Sequence, residues 1–181
     1  MDYMYHLLNS EVGKEKSRCD MDKEHYAKWL ANIAVQSLID EVSLTPKPGL
    51  VDKADTGSHK DLTFSMMINS AISLEETFYK MALLSMEQQH SQTLREKFGE
   101  IGREGEMQMY TLTNGVNTHK GAIWTIGLLV TSAAMNYNQH FTVDKILSTV
   151  SKVASIEDRY VPSENTNGKK AILKYGGTGA K

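Results

Sequence analysis

The sequence predicts an all-α protein, a single helical-bundle-like domain of about five to six helices joined by long functional loops. Three observations carry that expectation. Apolar residues recur at three- and four-residue spacing in window after window, no stretch alternates with period two, and Pro46, Pro48, Gly49 and Gly57 fall between the periodic windows.

Lys23 to Leu44 reads as the first helix, with Trp29, Leu30, Ile33, Ala34, Leu38 and Val42 on its apolar side. It must stop near Thr45, because Pro46 and Pro48 disfavour helical backbone in the residues before them. Thr45 to His59 is then a loop, long enough to expect function from it. Asp61 is the expected cap of a second helix, whose stripe Phe64, Met67, Ile68, Ala71, Ile72, Phe78, Met81 and Leu84 runs to about Gln88. A third spans about Gln92 to Leu112, with Leu94, Phe98, Ile101, Gly105 and Met109 inward. Its Gly102 and Gly105 allow another backbone to come close. The fourth, from about Thr118 to Met135, is apolar nearly all round and belongs at the centre. The fifth, Val143 to Ala154, turns Ile146, Leu147, Val150 and Val153 to one side, and a short helix is expected near Lys169 to Lys174.

The 181 residues suffice for one domain with a real core, expected over 23–181, behind a disordered or adventitious leader at 1–22 in which Met21 is a candidate start. Twenty Lys and Arg against 22 Asp and Glu argue against general nucleic-acid binding. One cysteine, Cys19, excludes a disulfide framework and a thiolate zinc site, and fits a reducing cytoplasm. No apolar run is long enough for a membrane span, and no secretory signal is apparent at the N-terminus.

Chemistry concentrates in two connectors. Gly115-Val116-Asn117-Thr118-His119-Lys120-Gly121 puts a cation, an imidazole, an amide and a hydroxyl at a helix start, with glycines that let a ligand approach the backbone. A phosphate-rich nucleotide is the expected guest. Thr45-Pro46-Lys47-Pro48-Gly49-Leu50-Val51-Asp52 is the second, where prolines stiffen the backbone around Lys47 and Asp52 is a candidate Mg2+ ligand. Gly57-Ser58-His59-Lys60-Asp61 adds a hydroxyl and an imidazole; the plain alternative is a helix connector with a capping Asp. Glu106 is near enough to Gly115 to aim a carboxylate into the same pocket and hold Mg2+ with the nucleotide's phosphates. Glu96, Glu100 and Glu104 read as a solvated face, His25, His90 and His140 as surface, and the methionines as core or pocket lining.

Three pieces in order resemble the triphosphoribosyl-dephospho-CoA synthases, which make the prosthetic-group precursor of citrate lyase and, in relatives, of malonate decarboxylase. They are Glu41 to Asp52 with Gly57 to Asp61, then Glu106-x-x-Met109-x-x-x-Thr113, then Gly115 to Ile123. The resemblance covers about Glu24 to Lys181. It implies that a ribose hydroxyl of 3′-dephospho-CoA attacks the anomeric carbon of ATP, that adenine leaves, and that Mg2+ accompanies the nucleotide. It implies substrate contact by Lys47, Pro48, Gly49, Asp52, Ser58, Gly115, Asn117, Thr118, Lys120 and Gly121. Catalytic roles fall to His119, Glu106 and His59, and metal binding to Glu106 and Asp52. A homodimer is an open expectation. Family members run about a hundred residues further, and Tyr175-Gly176-Gly177-Thr178-Gly179-Ala180-Lys181 looks like the start of their glycine-rich segment, so the chain is expected to be the N-terminal part of a longer family domain. The other readings are a catalytically incomplete ATP- or CoA-binding helical module and, last, a Mg2+-dependent phosphohydrolase.

Overall fold

The computed structural model describes residues 21–137, 139 and 142–161. Among them are six helices and no strand: α1 Lys23–Ser43, α2 Phe64–Ser73, α3 Glu75–Ser85, α4 Gln92–Leu112, α5 Lys120–Met135 and α6 Val143–Ala154. The helix expected at 169–174 and most of the leader lie outside the described residues. Asp22, assigned to the leader, is the cap of α1 and accepts from the His25 N–H at 2.9 Å. Helix α1 is therefore capped from within the segment assigned to the leader.

The expected central helix is central. Helix α5 packs against α1, α3, α4 and α6, while α1 and α3 pack on one another. Tyr26, Leu30, Leu74, Phe78, Met81, Phe98, Met109 and Ile123 are all buried in one core cluster. Helix α1 buries Leu30, Ala34, Leu38 and Val42 as expected and adds Ala27 and Ala31, whereas Ile33 is exposed. Small alanines permit close helix approach, and they outrank the larger Ile33 for that face.

The second predicted helix is two. The Ser73 hydroxyl donates to the Ser70 carbonyl at 2.8 Å, and the Leu74 N–H turns to Ala71 O at 3.2 Å. A serine that captures its own backbone in this way breaks the regular ladder, here at Leu74. The cap of α2 is Thr63, whose hydroxyl oxygen accepts from the Met66 N–H at 3.2 Å, and not Asp61. On α4, Gly102 and Gly105 admit side chains where a backbone was expected: the Trp124 ring covers the first and Thr77 the second.

The segment between α1 and α2 is a folded loop closed by its own hydrogen bonds. Pro48 and Gly49 (φ +80°) form the corner of a turn in which Leu50 N–H donates to Lys47 O at 3.0 Å. Gly57 rests on the Gly49 backbone so closely that a Cβ would lie 2.4 Å from Gly49 C, and Ser58 N–H donates to Gly49 O at 3.1 Å. Buried Val51 and Leu62 fasten the loop to Val42 of α1, and Val116 of the second connector packs against the same cluster. The two connectors thus meet through apolar contacts although they lie far apart in sequence.

Candidate functional site

Helix α4 ends in a tight left-handed turn: Asn114 has φ +53°, Gly115 has φ +86°, and Gly115 N–H donates to Tyr110 O at 2.8 Å. The Thr113 hydroxyl lies within hydrogen-bond distance of Met109 O (2.8 Å) and Val116 O (2.5 Å), fixing the chain's exit. Asn117 Oδ1 then accepts from the Lys120 N–H at 3.2 Å. Asn117 therefore serves the start of α5, which begins at Lys120 rather than at Thr118.

His119 and Lys120 leave this start in different directions. The His119 side chain goes inward and the residue is only 5% exposed. Its Nδ1 is 3.0 Å from Ser70 Oγ, which is 2.6 Å from Thr118 Oγ1, whereas Nε2 has no hydrogen-bond partner among the described residues. Burial lowers its pKa to about 4 against a weaker opposing pull from the Glu41 carboxylate, so the ring is neutral near pH 7. Glu41 in turn takes Lys47 Nζ at 2.8 Å. Lys47, Glu41 and His119 therefore form one electrostatic neighbourhood across the two connectors.

Lys120 turns outward into a cleft of about 790 Å3 between α4, α5 and residues 158–161. Its Nζ lies 3.0 Å from Glu106 Oε2, and Glu106 Oε1 accepts from Trp124 Nε1. Glu106 is largely covered, with a side chain 14% exposed. Arg95, Arg103, Tyr110 and Asp158 complete the polar and aromatic part of the wall. Gly121, one residue on, has open space over its Cα.

Of the residues expected to act together, Glu106 and Lys120 line this cleft. Lys47 is drawn to Glu41 at the end of α1, while Ser58 and Gly49 join the two sides of the first loop. His59 is half-buried on that loop, its N–H donating to Thr56 O at 3.1 Å. None of these loop residues lines the cleft. Asp52 is buried and holds the loop together: Thr45 Oγ1 and Lys47 N–H donate to Oδ2, both at 2.8 Å, and Ala54 and Asp55 N–H donate to Oδ1 at 2.7 and 3.1 Å. These donors, Thr45 first, hold its carboxyl well below the usual range.

The two carboxylates singled out for Mg2+ are therefore apart and already engaged, Asp52 by four loop donors and Glu106 by Lys120 and Trp124. Among the described residues no group of three or more His, Cys, Asp or Glu is arranged to hold a metal ion. Among the described residues no ready-made cage for magnesium stands without a nucleotide's phosphates.

Sequence reasoning missed Arg95, Arg103, Asp158 and Ser70. The first two had a signal: Arg95, Gly99, Arg103, Glu106 and Tyr110 follow at steps of four, four, three and four on one side of α4. Ser70 also had one, because a serine between Met67 and Leu74 interrupts an apolar stripe and calls for a polar partner. Asp158 lies past the last strong helix and offered no local pattern.

A family model described as CitG, ATP:dephospho-CoA triphosphoribosyl transferase, matches residues 27–169. A probable 2-(5''-triphosphoribosyl)-3'-dephosphocoenzyme-A synthase of Pseudomonas syringae pv. tomato is 45% identical over 156 residues, 86% of this chain and 53% of that protein. A 2-(5''-triphosphoribosyl)-3'-dephosphocoenzyme-A synthase of Klebsiella pneumoniae is 40% identical over 166 residues, 92% of this chain and 59% of its own length. The chain thus spans little more than half the length of these curated relatives. No solved structure matches. Among the described residues no helix is long and apolar enough to cross a membrane. With the family match running from the second turn of α1 past the end of α6, the chain belongs to the ATP:dephospho-CoA triphosphoribosyl transferase family.

Proposed function

We propose that this chain moves the triphosphoribosyl group of ATP onto 3′-dephospho-CoA with loss of adenine, in the cytoplasm, making the precursor of a lyase prosthetic group. The observation that carries this reading is the cleft at the start of α5, where Glu106 and Lys120 sit side by side within the family match. Departure of a purine leaves positive charge on the ribose, and a largely covered carboxylate such as Glu106 stabilises it far better than a solvated one. Lys120 and the open backbone at Gly121 suit phosphate oxygens at a helix N-terminus. Magnesium is expected as the counter-ion of ATP's own phosphates.

The neutral, enclosed state of His119 limits its part in proton transfer. A ring that binds its proton only near pH 4 is a poor donor to adenine at neutral pH. Held at Nδ1 by Ser70 and absent from the cleft's lining, the enclosed His119 supports the start of α5 rather than taking the ribose proton itself. His59, the other imidazole that the connectors supply, lies on the first loop and outside the cleft's lining.

Incubation with ATP and dephospho-CoA, followed by chromatography, is expected to show adenine released in step with a triphosphoribosyl product. Phosphate or pyrophosphate in its place would indicate a phosphohydrolase. Lys120→Ala should weaken ATP binding by about 1.5–3 kcal/mol, through loss of a charge-assisted contact; unchanged affinity in a calorimetric titration counts against the site. The chain's span of about half its relatives favours a second reading, a module that binds ATP and dephospho-CoA without turning them over. Tight binding without adenine would select it.

A further inference from the structure

The wall of the cleft holds more positive charge than its own carboxylates answer. The Asp158 side chain is wholly buried and shared by two guanidinium groups, with Arg103 Nη1 at 2.7 Å and Arg95 Nη1 at 3.5 Å. Its other oxygen accepts from Tyr160 N–H at 2.9 Å. The buried Arg95 Nε–H has no acceptor among the described residues. A cationic N–H held out of water without a partner is costly, and an anion from outside removes the cost. Burial works against the charge of Arg95, Asp158 only partly offsets that burial, and Arg103 beside it adds a smaller repulsion.

The remaining wall has a different character. Met107, Tyr110, Trp124 and Val161 present apolar and aromatic surface. The cleft's 790 Å3 lies in the usual range for organic ligands, about 300–1,000 Å3. Resting on the transferase reading, we propose that Arg95 and Arg103 grip the phosphates of an adenosine-bearing substrate whose ring lies against Trp124 and Tyr110. ATP and dephospho-CoA share that chemistry, and binding data separate them.

Trp124 is one of two tryptophans, so a Trp29→Phe chain reports on the cleft through its remaining indole. ATP and dephospho-CoA are titrated separately by fluorescence and by calorimetry. One nucleotide is expected to change the Trp124 emission and thereby identify the occupant. Arg103→Gln should raise its Kd roughly ten- to hundredfold. Arg103→Lys keeps a cation beside Asp158 but loses the fork, and should weaken binding several-fold even where the glutamine variant folds poorly. Lys80→Ala removes an exposed pair with Glu76 on α3, outside the cleft's lining, and should leave both affinities unchanged.

A lowered melting temperature with both affinities intact in the Arg103 variants would overturn the proposal. It would reduce the cluster to a fastening of residues 157–161 on α4, with the transferase reading untouched. Binding that depends on Arg103, in a chain that releases no adenine, would do the reverse: the phosphate grip stands and the transferase reading falls.

Discussion

At the scale of single residues, neighbours in sequence do different work because their surroundings differ. His119 and Lys120 are adjacent, yet one is enclosed beside Ser70 and the other faces the cleft. The enclosure of His119 has a measurable sign. Its folded pKa, about 4, lies below the ordinary value of 6.5, so the unfolded chain binds a proton that the folded one refuses. Full stability is present above about pH 6.5 and is lost as pH falls toward 4, by up to roughly 1.4 kcal/mol per pH unit. His119→Asn keeps a polar partner for Ser70 but cannot titrate. Urea unfolding between pH 4.5 and 7 should show a shallower pH slope in this variant; an equal slope would mean that the ring is not proton-averse when folded. The sequence marked His119, but its neutrality depends on burial that only packing supplies. Asp52 teaches the same lesson in reverse: its spacing suited a metal ligand, while four nearby donors make it the knot of its own loop.

Among the elements, periodicity was legible and interruptions were less so. Every helix expected within the described residues exists, because three- and four-residue spacing in amphipathic stretches survives tertiary packing. The break at Leu74 was hidden, since it arises from a hydroxyl competing for a carbonyl and leaves the apolar stripe intact. The glycines of α4 were legible as close-approach points, though what approaches was not. Gly105 meets Thr77 of α3, and an added Cβ would lie 2.7 Å from its Cγ2. Threonine is stiff at χ1 and buried here, so it cannot swing aside cheaply. Gly105→Ala should gain about 1 kcal/mol in helix propensity and lose about 1–3 kcal/mol to overpacking, for a net loss. A higher urea midpoint for the variant would contradict that ordering.

For the whole molecule, the two connectors meet at Val51, Leu62 and Val116, while their charged groups face separate places. The site was half legible for that reason. Glu106 and Lys120 belong to motifs that lie close in sequence, and they share the cleft. Arg95 and Asp158 are 63 positions apart, and only the completed packing of α5 and α6 joins them. Contacts across such spans form against a larger loop-closure entropy than contacts within a helix.

The Asp158 junction also carries a kinetic expectation. A contact across 63 positions is expected to form after the local helix contacts, which would make this wall of the cleft a late feature of the described residues. Asp158→Asn should accelerate unfolding several-fold while leaving the refolding rate nearly unchanged, the pattern of an interaction made after the main barrier. Stopped-flow denaturant jumps read both rates, and a variant slowed chiefly in refolding would place the junction in the nucleus instead.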